Sequence, residues 1–126
     1  MNTIKIVSTE KAPAVVGPYS QALEVNNFIF CSGQIGIDPK TNTLVEGIEK
    51  QTTQVLKNLE IVLLSAGSKL NKVVKTTIYL KSMADYVLVN QIYGSFFKEN
   101  KPARATVEVS RLPKDALIEI DAIASL

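Results

Sequence analysis

Apolar residues recur along the chain in two patterns, one typical of helices and one typical of strands. Between residues 48 and 66 they follow the period of an amphipathic helix, and Gly67 supplies a C-terminal cap. Ser82 with Asp85 three residues later forms a capping box, which predicts a second helix with an aromatic face. Strands are predicted by β-branched, aromatic or alternating residues at 27–35, 73–80, 104–109 and 117–124.

The order of these elements is strand, helix, strand, helix, strand, strand. It predicts an α+β fold in one domain, residues 1–126, with a mixed β-sheet and both helices packed on one face. Alternation assigns Cys31 and Gly33 to the helix-covered face and Ser32 and Gln34 to the other. The last strand puts a purely apolar set under the helices: Ile118, Ile120, Ala122 and Ala124.

The second face of the sheet mixes apolar and polar residues. Phe28, Phe30 and Ile123 share it with Glu119 and Asp121. Two helices cannot cover both faces of such a sheet, and a large uncovered apolar patch usually marks a partner surface. We therefore expect this face to pack against copies of the same chain in a closed oligomer.

The last two predicted strands look like an antiparallel pair joined by the loop around Pro113. That pairing would place Arg104 close to Asp121 and within one step of Glu119. Two interpretations remain open. The commoner one is a structural cross-strand salt bridge. The other is a small-molecule carboxylate site, in which Arg104 holds the carboxylate and Glu119 holds a water.

The amino-acid composition excludes several kinds of catalytic and binding site. The 126 residues include no histidine, which excludes Ser-His and Cys-His nucleophilic pairs and most zinc sites, so no metal is predicted. The single cysteine, Cys31, cannot form an intramolecular disulfide and is expected in the core. The net charge of +2 is too small to indicate a nucleic-acid partner.

The N-terminal residues do not form a signal peptide, and no apolar run reaches the length of a membrane span. We therefore expect a cytoplasmic protein with no membrane partner.

Two stretches of the chain resemble the RidA (YjgF) family of reactive-intermediate deaminases. The first, residues 102–120, reads PARATVEVSRLPKDALIEI and is similar to the family signature. The second is GPYSQAL from Gly17, followed by NNFIFCSGQIGIDPKT. The intervening SAGSKLNKVVKTTIYL and YGSFFKENKPAR lie where the family has them, so the resemblance covers essentially the whole chain.

The resemblance implies a chorismate mutase-like fold that assembles as a homotrimer with a barrel-like core and a site in each cleft between subunits. It also implies hydrolysis of reactive 2-enamine and 2-imino acids, which pyridoxal-phosphate-dependent threonine and serine dehydratases release. The products are 2-oxo acids and ammonia, and no cofactor is needed.

The resemblance also assigns roles to residues. Arg104 matches the arginine that binds the substrate carboxylate, and Glu119 matches the glutamate that positions the attacking water. The other positions that match the substrate site are Tyr19, Ser32, Gly33, Asn90 and Thr106. Many members have cysteine in place of Thr106. A threonine keeps the backbone amide that contacts the ligand, but it removes any thiol chemistry.

Two other functional classes compete with the deaminase. A trimeric module that senses 2-oxo acids would use the same arginine without needing turnover at Glu119. The function of an RNA-cleaving translation inhibitor has been ascribed to relatives. The near-neutral charge of this chain and its lack of histidine argue against that function here.

Overall fold

The computed structural model describes residues 3–126 as strands and helices around one layer of β-sheet. The strands are β1 (Lys5–Val7), β2 (Ala22–Val25), β3 (Phe28–Gln34), β4 (Ile37–Asp38), β5 (Thr43–Leu44), β6 (Val73–Leu80), β7 (Ala103–Glu108) and β8 (Ile118–Ser125). The α-helices are α1 (Ile48–Ser65) and α2 (Tyr86–Phe96). A short 3-10 turn, Met83–Asp85, leads into α2, and the Ser82 side chain accepts a hydrogen bond from the Ala84 N–H at its start.

Six of the strands form a mixed sheet in the order β1-β2-β3-β8-β6-β7. Neighbouring strands are antiparallel except β6 and β7, which are parallel. Both helices pack on one face of this sheet, so the predicted α+β architecture is confirmed. Strands β4 and β5 form a separate hairpin.

The core lies between the helices and the sheet. The apolar residues of β8 that alternation assigned to this side are at most 3% exposed. From α1, the core receives Val55, Leu56, Leu59, Val62 and Leu63, each at most 1% exposed. Within residues 3–126 the opposite face has no such cover, and Phe28 and Phe30 are each 42% exposed there.

The predicted antiparallel pairing of the last two strands is wrong. Strand β6 lies between β7 and β8 and pairs with both. The physical reason is the difference in composition between the two strands. Strand β8 carries an apolar row that the helices can bury at the sheet centre, whereas β7 carries Arg104, Thr106 and Glu108 and takes the edge.

A bulge in β3 changes which side chains face the helices. Strand β3 pairs with β8 in one register at Cys31↔Ala122 and in a shifted register at Gln34↔Ile120. Because of this extra residue, Gln34 is buried and Gly33 is exposed, the reverse of the faces that strict alternation predicted. Gly33 therefore lies on the same side of the sheet as Glu119.

The short strands β1 and β2 were not predicted from the sequence. They extend the sheet beyond β3, with Lys5↔Glu24 and Ala22↔Cys31 as paired positions. Between them, residues 11–18 form the predicted loop. Within the described part of the chain, no helix is long and apolar enough to cross a membrane.

Candidate functional site

Arg104 lies on the helix-covered face of the sheet, near its edge. It pairs in register with Thr76 of β6, and Thr76 pairs on its other side with Ala122 of β8. Thr76 and Ala122 are both buried beneath the helices. In-register neighbours project to the same face, so the Arg104 side chain points toward α2.

Two tyrosines of α2 contact the Arg104 guanidinium. Arg104 Nη2 donates a hydrogen bond of 3.1 Å to the Tyr86 hydroxyl. Arg104 Cζ lies 4.9 Å from the centre of the Tyr93 ring and 5.7 Å from that of Tyr86. Both distances are typical of cation–π contacts. The Asn90 amide and Arg104 lower the pKa of Tyr86, because both stabilise negative charge on its hydroxyl oxygen.

Two polar side-chain atoms in this region have no hydrogen-bond partner among residues 3–126. They are Asn90 Oδ1 and Thr106 Oγ1, and both are buried. Asn90 follows Tyr86 by one turn of α2, and Thr106 follows Arg104 by two residues on the same face of β7. Buried polar atoms are almost always paired, so two unpaired ones beside an arginine mark a place where a polar ligand fits. We call Arg104, Tyr86, Tyr93, Asn90 and Thr106 the Arg104 group.

Arg104 forms no salt bridge with any residue in the described range 3–126, where the ion pairs are Lys5–Glu24 and Arg111–Asp115. The structural interpretation of Arg104 as half of a cross-strand ion pair is therefore wrong. Glu108, the last residue of β7, accepts a hydrogen bond of 2.8 Å from the Met83 backbone N–H.

Glu119 lies on the uncovered face of the sheet, beside the bulge. It pairs in register with Tyr79, whose hydroxyl donates a 3.1 Å hydrogen bond to Asp121 Oδ2. A β-carbon added at Gly33 would lie 2.8 Å from Glu119 Cδ, so the glycine is what leaves room for the carboxylate. Burial, and secondly the charge of Asp121, raise the pKa of Glu119.

A cavity of about 120 Å³ adjoins this carboxylate, and its walls include Tyr19, Gly33, Lys114 and Glu119. Tyr19 is 52% exposed there. Ser32 adjoins Gly33 in the bulge, and its hydroxyl donates a 2.6 Å hydrogen bond to the Ser20 carbonyl oxygen. We call Glu119, Tyr19, Ser32 and Gly33 the Glu119 group.

The two groups do not meet within one chain. Arg104 and Thr76 project to the helix-covered face, whereas Glu119 projects with Tyr79 to the other face. The prediction that the last two strands bring Arg104 and Glu119 together in one chain is therefore wrong. The reason is the insertion of β6, which separates the two strands and fixes opposite faces for the two charges.

Cys31 is 7% exposed, and burial raises the pKa of its thiol to about 12, so it is a core residue as predicted. Across residues 3–126, no cluster of three or more histidine, cysteine, aspartate or glutamate side chains could hold a metal ion.

Comparison with known proteins shows the family of the chain. The family model described as Endoribonuclease L-PSP matches residues 9–126. A RutC family protein of Pyrococcus horikoshii is 55% identical over 95% of this chain and 96% of its own length. The chain belongs to the RidA (YjgF) family.

A relative named as a deaminase and a solved crystal structure are also similar to this chain. The mouse protein named 2-iminobutanoate/2-iminopropanoate deaminase is 48% identical over 95% of this chain and 90% of its own length. The crystal structure of a Rid family protein from Yersinia pestis superposes with a TM-score of 0.97 at 51% identity, covering 98% of this chain and 100% of that one. The chain therefore has the RidA fold along essentially its whole described length.

Sequence reasoning missed Tyr86 and Tyr93 of the Arg104 group, and also Lys114, which lines the cavity beside Glu119. Both tyrosines lie on the predicted aromatic face of the second helix, where the sequence indicates packing, although they share that face of α2 with Asn90 at helical spacing. Lys114 was placed in a variable loop. Its backbone has φ of 56° in the 3-10 turn Pro113–Asp115, and nothing in the sequence pattern indicates this conformation.

Proposed function

We propose that this RidA-family chain is a hydrolytic deaminase that converts reactive 2-enamine and 2-imino acids into 2-oxo acids and ammonia. The observation that carries the proposal is the unpaired state of Arg104. Its guanidinium is partly buried, held by two tyrosines, and makes no ion pair within residues 3–126.

An arginine in this state is suited to a ligand carboxylate. The guanidinium has five N–H donors, and Tyr86 occupies one of them. A planar carboxylate can accept two of the remaining donors in parallel. The unpaired oxygen of Asn90 lies on the same side and can meet the polar groups at the carbon next to the carboxylate.

Glu119 is the general base of the proposed reaction. A general base works best when its pKa lies near the operating pH, and burial with Asp121 moves the pKa of Glu119 in that direction. In the proposed reaction, water attacks the imine carbon while Glu119 accepts a proton from it. A C–O bond forms as the π electrons of the C=N bond move to nitrogen, and Glu119 passes the proton to that nitrogen to give a carbinolamine. Glu119 then transfers the hydroxyl proton of the carbinolamine to the same nitrogen, the C–N bond breaks, and the 2-oxo acid and ammonia leave.

The proposed site lies between subunits of a homotrimer. Because Arg104 and Glu119 project from opposite faces of one sheet, a small acid cannot contact both in a single chain. If the β7 edge of one copy packs against the uncovered face of the next, where Phe28 and Phe30 are exposed, the Arg104 group of the first copy meets the Glu119 group of the second. Sedimentation of the protein as a monomer at micromolar concentration would contradict this assembly.

The activity is tested by adding the protein to a threonine dehydratase reaction and following 2-oxobutanoate formation. We expect acceleration by the wild type and a loss of kcat/KM of about 100-fold or more in Arg104→Ala, since the substrate carboxylate loses its charged partner. Arg111→Ala is the matched control, because this exposed arginine pairs with Asp115 outside both groups. No acceleration by the wild type would refute the proposal.

Glu119→Gln separates turnover from binding. An enzyme of the proposed kind loses kcat in this variant while it still binds a 2-oxo acid through Arg104. Titration calorimetry with 2-oxobutanoate measures the binding. If the wild type binds the 2-oxo acid but accelerates nothing, the sensor interpretation is favoured over the deaminase.

A further inference from the structure

The Tyr86 hydroxyl is the only side-chain group within residues 3–126 to which the Arg104 guanidinium donates a hydrogen bond. The bond runs from Nη2 and is 3.1 Å long. Strand β7 is the edge of the sheet, so no further strand supports the arginine from outside. An arginine side chain has many rotamers, and a fixed orientation therefore needs contacts of this kind.

The two tyrosines that contact Arg104 are themselves fixed. The Tyr93 hydroxyl forms a 2.7 Å hydrogen bond with Thr76 Oγ1, and its ring lies 4.5 Å from that of Phe97. Tyr86 begins α2, directly after the turn in which the Met83 N–H binds Glu108 at the end of β7. The Tyr93 ring thus supports the flat side of the guanidinium, and the Tyr86 hydroxyl holds one edge.

We propose that Tyr86 is a positioning residue, whose hydroxyl orients the Arg104 guanidinium so that its free N–H groups face the ligand carboxylate. This inference rests on the proposed function of Arg104 as a carboxylate binder. It assigns a role to the hydroxyl of a tyrosine that the sequence pattern places on the aromatic face of the second helix.

The arrangement makes ligand binding sensitive to alkaline pH. The charged group that contacts the Tyr86 hydroxyl is Arg104 of β7. Tyr93 of α2 contacts the same guanidinium, and the Glu108 carboxylate at the end of β7 is bonded to the Met83 N–H. The Asn90 amide and Arg104 lower the pKa of Tyr86, so its hydroxyl ionises at lower pH than an ordinary tyrosine. The resulting phenolate pairs with Arg104 and competes with the ligand carboxylate.

Tyr86→Phe tests the proposal, because it keeps the ring over the guanidinium and removes only the hydroxyl. We expect the Kd for 2-oxobutanoate and the KM for the imine to rise about 5-fold, with kcat changed less than about 2-fold. The reason is that a less well oriented Arg104 guanidinium weakens binding of the carboxylate. We also expect wild-type affinity to fall at alkaline pH, below the pH at which an ordinary tyrosine ionises, and to fall more steeply than that of the variant. Circular dichroism checks that the variant is folded.

The outcomes separate this inference from the proposed function. If the wild type binds 2-oxobutanoate and Tyr86→Phe has the same Kd and the same pH dependence, the positioning role is wrong and the proposed function stands. If Tyr86→Phe does not fold, a wild-type affinity that stays constant over the alkaline range still overturns the role. A wild type that neither binds 2-oxobutanoate nor accelerates its formation overturns both proposals.

Discussion

The Arg104 group and the Glu119 group lie on opposite faces of one sheet, in different surroundings. Arg104 is framed by aromatic rings and neutral polar atoms under α2. Glu119 lies beside a second carboxylate, Asp121, on a face that no helix covers. The first environment suits the binding of an anion, and the second raises the pKa of an acid. The difference indicates that the Arg104 group binds the substrate and that the Glu119 group transfers protons. We propose that the two groups meet where copies of the chain pack against each other.

Mixing two inactive variants gives the largest expected effect. Arg104→Ala and Glu119→Gln chains are each expected to be nearly inactive. If each site takes Arg104 from one copy and Glu119 from the next, equal random mixing of the two chains restores about one quarter of wild-type activity. Co-refolding the two chains and assaying 2-oxobutanoate formation measures this. Activity that stays at the level of the separate variants would contradict the inter-subunit site.

Gly33→Ala is expected to affect the Glu119 group alone. The new methyl would lie 2.8 Å from Glu119 Cδ and displace the carboxylate. We expect kcat/KM to fall about 10- to 100-fold, because a displaced base no longer aligns the water, while 2-oxobutanoate binding is less affected.

Gly94→Ala is the matched control for that change. Nothing lies within 4 Å of a β-carbon added at this position in α2. The alanine should leave activity unchanged and raise the free energy of unfolding by about 0.5–1 kcal/mol, measured by denaturant titration. A fully active Gly33→Ala protein would mean that the position of the Glu119 carboxylate is unimportant.

Asp121→Asn is expected to change the pH profile rather than the maximum rate. Asp121 contributes to the raised pKa of Glu119, so removing its charge lowers that pKa. Glu119 must be ionised to act as a base. The acid limb of kcat/KM therefore moves to lower pH, and the variant is more active than the wild type in acid and similar near neutrality.

Glu24→Gln makes the same change of charge on β2, where Glu24 pairs with Lys5, and should leave the profile in place. A shift of the Asp121→Asn profile to higher pH, or no shift, would show that Glu119 is not the group that titrates in the acid limb.

Thr106→Val is expected to have the smallest effect. The Thr106 hydroxyl is buried and unpaired within residues 3–126, so its removal should not lower stability. If the backbone amide contacts the ligand, as the family resemblance implies, kcat/KM changes less than about 3-fold. A larger loss would mean that the hydroxyl itself binds the substrate.

Thr76→Val provides the contrast in stability. Its hydroxyl is bonded to Tyr93, so this variant should lose about 1–2 kcal/mol of unfolding free energy by the same measurement.

The helices, the four longest strands and the face of β8 could be predicted from the sequence because each depends on local periodicity. Strand order could not. A short loop between two strands usually indicates a hairpin, but here burial of the apolar row of β8 at the sheet centre decides the order, and β6 intervenes. The bulge at Ser32 and Gly33 could not be predicted either, because one extra residue leaves the amino-acid composition typical of a strand unchanged.

The site could be predicted in part. The family resemblance selected Arg104, Glu119 and the five matching positions, and the structure places each of them in one of two groups. What local reasoning missed was the contact of Tyr86 with Arg104, because a tyrosine among apolar helix positions indicates packing until its hydrogen-bond partner is known.

The parallel pairing of β6 and β7 has a consequence for how the molecule folds. A parallel pair needs a crossover connection, and here α2 is that connection, so the Arg104 group arises from one continuous segment, residues 73–108. The Glu119 group instead requires chain positions 19 and 119 to come together. Closure of long loops is slow compared with local contacts. We therefore expect the strand–helix–strand segment to fold early, before the oxygen of Glu119 reaches the bulge of β3.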